Sequence, residues 1–217
     1  MKITTILFDM DGTLLDSIED IADSLNKTLT EFHLPTRTLK DITSFVGNGA
    51  KFLVEKSLPP STPEATKQEF LLAYKNEYLN NLQNKTKPYD GIIDLLEQLS
   101  QRGYKLGIIS NKPDAGVKSL SQTYFHTYIQ SSIGESITTK RKPAPDGIYK
   151  ALEELQSNKE ETIYVGDSEV DILTAKNAGI PCIGVTWGFR SRETLLQAGA
   201  TLLIDSPKEF LSLLNTL

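Results

Sequence analysis

Ile3 to Phe8 is a short, branched, apolar run that halts at Asp9-Met10-Asp11-Gly12-Thr13, the pattern of a buried strand ending in a loop. The texture then changes. Ile18, Ile21, Ala22, Leu25, Leu29 and Phe32 recur at helical spacing, with Asp16 or Ser17 placed to cap the helix they predict. Asp41 to Phe45 and Ala50 to Lys56 read as two shorter helices around Gly47-Asn48-Gly49. After Pro59-Pro60, Phe70, Tyr74, Tyr78 and Leu82 share one face of a helix running to about Gln83. From Pro88 onward strands and helices alternate: helix Gly91 to Arg102, strand Tyr104 to Ile109, a helix from near Pro113, and a short strand around Tyr128-Ile129. Helix Asp146 to Leu155, strand Thr162 to Val165, helix Glu169 to Ala178 and strand Ile180 to Val185 follow, and Thr201 to Ile204 with Pro207 to Leu214 form a last pair. Alternation of this kind predicts an α/β fold, a Rossmann-like parallel sheet with helices on both faces. Residues 1–16 and 87–217 make the α/β core, and residues 17–86 form an all-helical insertion after the first strand.

Length and composition narrow the picture without changing it. At 217 residues, and with roughly 150 residues to a domain, the chain is one domain carrying an insertion. Hydrophobic residues at 39% and charged residues at 24% are those of a folded globular protein. A net charge of −5 gives no basic face for nucleic acid. No apolar run approaches the ~18 residues of a membrane span, and the segment after Met1-Lys2 is too short, and too soon interrupted by acid, for a signal peptide. The single Cys182 excludes an internal disulfide and a multi-cysteine metal site. The expectation is a cytoplasmic protein with a small-molecule ligand, with no membrane or nucleic-acid partner and an oligomeric state left open.

Ligands of open parallel sheets bind beyond the carboxyl ends of the strands, so the residues at those ends are the candidates for chemistry. The first strand ends in Asp9-Met10-Asp11-Gly12-Thr13, the second in Ser110-Asn111-Lys112, and the strand at Ile163 in Gly166-Asp167-Ser168, with Asp171 one helical turn later. Lys142 lies between them in the proline-fixed basic loop Lys140-Arg141-Lys142-Pro143-Ala144-Pro145. Acids, hydroxyls and a lysine on one edge suit a phosphate held with Mg²⁺, which takes oxygen ligands from one or two carboxylates, substrate phosphate and water. A carboxylate that attacks a phosphoryl group needs positive charge and hydrogen-bond donors around it, and a second acid two residues away can protonate the leaving oxygen. Blander readings exist for each element. Asp9 and Asp11 fit an Asx turn, but not a calcium-binding EF-hand, whose sixth position is glycine where this chain has Leu14. Ser168-x-x-Asp171 has capping-box spacing, Ser110 fits a helix cap, and Lys112 is an ordinary lysine after a strand.

Taken in order, these elements resemble the four motifs of the haloacid dehalogenase-like phosphatases. Phe8-Asp9-Met10-Asp11-Gly12-Thr13-Leu14-Leu15-Asp16-Ser17 is similar to the first motif, Ser110 to the second, Lys142-Pro143 to the third and Gly166-Asp167-Ser168-x-x-Asp171 to the fourth. The resemblance implies that Asp9 is a nucleophile forming an aspartyl-phosphate and Asp11 a general acid/base. It implies that Thr13, Ser110 and Asn111 bind phosphate and that Lys142 neutralises charge. Asp9, Asp11 (through its backbone), Asp167 and Asp171 stand as the Mg²⁺ set, with Asp171 supporting either the metal or Lys142. The helical insertion corresponds to a substrate-choosing cap. Its Val46-Gly47-Asn48-Gly49-Ala50 is similar to the substrate loop of phosphoglycolate phosphatases, as is Gly184-Val185-Thr186-Trp187-Gly188, so Gly47 and Asn48 are candidate substrate contacts. The expected reaction is Mg²⁺-dependent hydrolysis of a small phosphate monoester, with 2-phosphoglycolate foremost. Pyrophosphatases, broad sugar-phosphate phosphatases and hexose-phosphate mutases of the same build are the alternatives, as is a non-catalytic phosphate-binding protein. The mutases typically carry a cap histidine soon after the first motif, and here none precedes His33.

Overall fold

The computed structural model describes residues 3–214; Met1 and Lys2 of the leader reading, and residues 215–217 at the end of the expected core segment, lie outside the described residues. Short strands buried on both faces must be apolar throughout, and such runs build the sheet. β1 (Thr5–Phe8) is fully buried and lies between β4 (Lys105–Pro113) and β6 (Thr162–Gly166), parallel to both. β5 (Ser131–Glu135) extends the sheet beyond β4, and β7 (Cys182–Val185) and β8 (Leu202–Ile204) extend it beyond β6, giving the order β5-β4-β1-β6-β7-β8. Side chains alternate between two cores. Ile6, Phe8, Ile108 and Val165 face α5 (Ile92–Gln101), α6 (Asp114–Tyr124) and α10 (Pro207–Leu214), whereas Leu7, Ile109 and Tyr164 face α7 (Asp146–Glu154) and α8 (Glu169–Ala178). The fold is α/β with helices on both faces of a parallel sheet. The register pairs Phe8 with Ile108 and Val165, so β1 and β6 stop close together beside β4, and Asp9, Ser110 and Asp167 reach one edge.

The chain leaves this sheet through β2 (Leu15–Asp16) and returns through β3 (Lys87–Pro88), which pair antiparallel and bracket the expected insertion. Between them stand four helices: α1 (Ile18–Glu31), α2 (Leu39–Phe45), α3 (Gly49–Ser57) and α4 (Glu64–Asn80). Phe70, Tyr74 and Tyr78 line the buried face of α4 as the spacing predicts; Leu82 is also buried but lies past the helix end. Buried Asp20 clasps the exit to the entry by accepting from the Lys85 and Thr86 amides and the Thr86 hydroxyl. Ser17 occupies the N-cap of α1 without capping it, because its hydroxyl donates to Asp11 instead. Three expectations need correction. The strand placed at Tyr128-Ile129 forms at Ser131–Glu135, and β4 continues past Ile109 to Pro113 with a register shift. A short helix, α9 (Arg192–Gln197), also stands where the sequence pattern gave none. No helix among the described residues is long and apolar enough to cross a membrane.

Candidate active site

Asp9 follows β1 and Asp167 follows β6, and both are buried. Lys142 arrives on the basic loop and bonds Asp9 Oδ1 at 2.8 Å, Asp171 Oδ1 at 2.6 Å and the Tyr164 hydroxyl at 3.1 Å, so all three of its protons are used. Asp9 Oδ1 also accepts from the Met10 amide at 2.6 Å, while its Oδ2 has no protein partner among the described residues. Burial, reinforced by Asp171, raises the Asp9 carboxyl well above the usual carboxylate range against the pull of Lys142. Burial likewise pushes Asp167 up to about 7, with Asp171 adding to it and the Phe189 amide opposing. Burial would lower the Lys142 ammonium, but Asp171 and Asp9 together outweigh it and hold the lysine charged. Asp171 is spent within this network: Oδ1 takes Lys142, and Oδ2 takes the Ser168 amide and hydroxyl in a capping box on α8. Close backbone approach makes this possible. Gly12 sits at φ +83°, and a Cβ on either Gly12 or Gly188 would strike the Asp167 side chain.

The other candidates divide into those that face the cavity and those that brace it. Ser110 lines the cavity. Thr13 does not; its fully buried hydroxyl donates to Asp167 Oδ1 at 3.3 Å, and its carbonyl accepts from the Trp187 indole at 3.0 Å. Asn111 lines the cavity with its amide already committed, donating to the carbonyls of Gly47 at 2.8 Å and Lys142 at 3.1 Å and accepting from the Lys142 amide at 2.6 Å. Asp11 turns away from the acid cluster. Its Oδ1 accepts from the Ser17 hydroxyl at 2.5 Å and its Oδ2 pairs with Lys112 Nζ at 3.1 Å.

Helices α1, α3 and α4 roof the strand ends, leaving between them an open-mouthed cavity of about 710 Å³, the open space at its mouth included. Apolar Ile21, Val46 and Leu53 and the Tyr74–Tyr78 pair form much of the roof, with half-buried Lys75 among them. Core side chains grip the roof by its main chain. Arg190 donates to the carbonyls of Thr43 at 2.9 Å and Val46 at 2.6 Å, Asn111 to that of Gly47, and Arg141 to that of Asn48 at 3.0 Å. Gly47 lines the cavity, whereas Asn48 is not among its lining residues and accepts from Arg141 through its carbonyl.

The haloacid dehalogenase-like hydrolase family matches this chain over residues 6–185, from β1 to the end of β7. The chain is a haloacid dehalogenase-like hydrolase. It is 36% identical over 185 residues to a phosphoglycolate phosphatase of Aquifex aeolicus, covering 85% of each chain. It is 34% identical over 217 residues to the pyrophosphatase PpaX of Listeria innocua, covering 99% of this chain and 97% of the other. Among solved structures, a haloacid dehalogenase-like family protein from Streptococcus pneumoniae superposes with a TM-score of 0.87 at 28% identity, covering 97% of this chain and 98% of that one.

In this haloacid dehalogenase-like hydrolase the donor set suits a hard cation. Asp9, Asp167 and Asp171 bring carboxylate oxygens within 4.8 Å of one another, and two buried acids whose charge is disfavoured call for a positive partner. Asp171 is already paired with Lys142 and Ser168, whereas Asp167 receives only neutral donors, the Thr13 hydroxyl and the Phe189 amide, and Asp9 keeps Oδ2 without a protein partner among the described residues, so Asp9 and Asp167 are the carboxylates best placed for the ion. Sequence reasoning passed over four contributors. Tyr164 was visible as one polar-tipped aromatic in an otherwise aliphatic strand, and it bonds Asp171 and Lys142. Arg190, Arg141 and Lys112 gave no local signal, because their partners are 144, 93 and 34 residues away.

Proposed function

We propose that this hydrolase is a Mg²⁺-dependent phosphatase of small phosphate monoesters that works through a phosphorylated Asp9. The observation that carries the reading is the state of Asp9, which lines the cavity: one oxygen is clamped by Lys142 and the Met10 amide, and the other has no protein partner among the described residues. In the first half-reaction an Asp9 oxygen bonds phosphorus, the bond to the ester oxygen breaks, and Asp11 gives that oxygen its proton. In the second, water attacks phosphorus, Asp11 takes the water's proton, and Asp9 is released with inorganic phosphate. Ser110 lines the wall where the phosphoryl oxygens would lie, while Thr13 and Asp171 hold Asp167 and Lys142 in place. A Mg²⁺ held by Asp9 and Asp167 supplies charge neutralisation for the phosphoryl group. Residues 17–86 act as the cap that excludes water and meets the organic end of the ester.

The substrate reading is a phosphate monoester with a second anionic group, 2-phosphoglycolate first, and the alternative is the phosphoanhydride pyrophosphate. Two of the similar proteins carry the names of those activities. Lys75, on the roof, faces the same cavity and has no ion-pair partner among the described residues. Neither His33 nor His126 lines the cavity, which favours hydrolysis over a mutase dependent on a cap histidine. Phosphate release from a panel of 2-phosphoglycolate, pyrophosphate, hexose phosphates and phenyl phosphate, with Mg²⁺ and with chelator, tests the reaction. Chelator-sensitive release led by 2-phosphoglycolate or pyrophosphate is expected. Flat activity across the panel would remove the named substrates, and no release from folded protein would remove the phosphatase. Lys75→Ala is expected to raise KM for 2-phosphoglycolate about tenfold, the worth of one charge-assisted hydrogen bond, and to leave KM for phenyl phosphate unchanged. Equal rises on both esters would deny Lys75 this role.

A further inference from the structure

Lys112 ends the second strand of the core, and its ammonium is buried beneath the roof with its side chain only 3% exposed. It joins two parts of the molecule. On the core side it pairs with Asp11 Oδ2 at 3.1 Å; on the roof side it hydrogen-bonds the Tyr78 hydroxyl and lies 4.3 Å from the centroid of that ring. Its stem passes over Gly116, where a Cβ would stand only 3.3 Å from Lys112 Cδ. Tyr78 is steadied by a stacked Tyr74, ring centroids 5.9 Å apart and 9° from parallel. Asp11 is therefore held at both oxygens, by Ser17 where the chain leaves the sheet and by Lys112 where the roof comes down. Buried ion pairs contribute little net stability against well-packed apolar replacements, so this pairing is poorly accounted for by folding alone.

We propose that Lys112, seated by Tyr78, is a positioning residue that aims the Asp11 carboxyl at the leaving-group oxygen. The inference rests on the phosphatase reading above. In the step concerned, the Asp9 oxygen–phosphorus bond forms, the phosphorus–ester oxygen bond breaks, and the Asp11 proton moves to the departing oxygen. Lys112 fixes the acid's direction and touches neither phosphorus nor ester. An alkoxide must be protonated as it leaves, whereas 4-nitrophenolate departs without a proton, so misdirecting Asp11 affects the two kinds of ester unequally.

The experiment compares kcat/KM for 4-nitrophenyl phosphate with that for the best alkyl phosphate of the panel, in wild type, Lys112→Met and Tyr78→Phe, with thermal midpoints read alongside. Lys112→Met is expected to lower the alkyl value about 100-fold, the lower end of what general acid catalysis provides, and the nitrophenyl value by less than about threefold. Tyr78→Phe, which keeps the ring and removes the hydroxyl, is expected to show the same selectivity with a smaller loss. In an Asp11→Asn background, Lys112→Met is expected to add nothing, as for two groups acting through one another. Equal losses on both esters, no loss, or additive losses in the double variant would overturn the proposal. If Lys112→Met does not fold, Tyr78→Phe and its double variant with Asp11→Asn decide the matter. Wild type inactive on both esters would instead overturn the phosphatase reading, and this inference with it.

Discussion

Asp9→Asn is expected to abolish phosphate release, lowering kcat by about 10⁴-fold or more, as removal of a covalent nucleophile does elsewhere. The substitution is nearly isosteric, and the Lys142 and Met10 contacts on Oδ1 have an amide oxygen to replace them. Burial already disfavours the Asp9 charge, so exchanging it for a neutral amide leaves the fold intact. The loss is chemical, and mass spectrometry of acid-quenched enzyme separates it from misfolding. Wild type incubated with substrate should carry one phosphoryl group on the peptide containing Asp9, and the Asn variant none. Turnover by folded Asp9→Asn protein near the wild-type rate would end the aspartyl-phosphate mechanism.

Lys142→Met should lower both activity and stability. Removing one partner of a buried ion pair leaves an uncompensated charge, at a cost of about 3–5 kcal/mol. Here two carboxylates lose a direct partner: Asp9 at 2.8 Å and Asp171 at 2.6 Å, with Asp167 buried in the same cluster. Urea denaturation should show an unfolding free energy lowered by an amount of that order, with a lower midpoint and the slope unchanged. Millimolar Mg²⁺ should recover part of it, because an ion bound only by the native state stabilises that state by mass action. A Lys142→Met protein as stable as wild type would mean that the acids do not depend on this lysine.

The sheet was legible because parallel strands buried on both faces leave continuous apolar runs, and the site because its acids sit where those runs stop. The edge strand was not. Ser131-Ser132-Ile133-Gly134-Glu135 is polar because the hydroxyls of Ser131 and Ser132 bond Glu154 and Ser121 of neighbouring helices. Hydrophobic patterning therefore settled on the apolar pair Tyr128-Ile129 just upstream. Helix α9 escaped for a related reason: six residues with Leu195 alone buried cannot display a period, although Ser191 caps it through the Thr194 amide. Asp171 was readable by its capping-box spacing, and that box holds the carboxylate that receives Lys142. Thr13 shows the limit of reasoning by position. It stands beside the phosphate edge in sequence, yet its hydroxyl turns inward to Asp167. Lys112 shows the limit of reasoning by neighbourhood, since nothing near it in sequence announces Asp11 and Tyr78 as partners.

Among the described residues, the roof loop of residues 43–48 is gripped by core side chains through its carbonyls, those of Thr43, Ser44, Val46, Gly47 and Asn48, and every donor belongs to the sheet side. Seating is thereby uncoupled from the identity of the loop's side chains. Substitutions at positions 46 and 48 should therefore leave Arg190, Arg141 and Asn111 holding the loop in the same place. The glycines at 47 and 49, with φ of +116° and +80°, form the fixed frame of that exchangeable segment. Replacing the side chain at position 46 should thus change what the roof presents to the cavity without moving the loop.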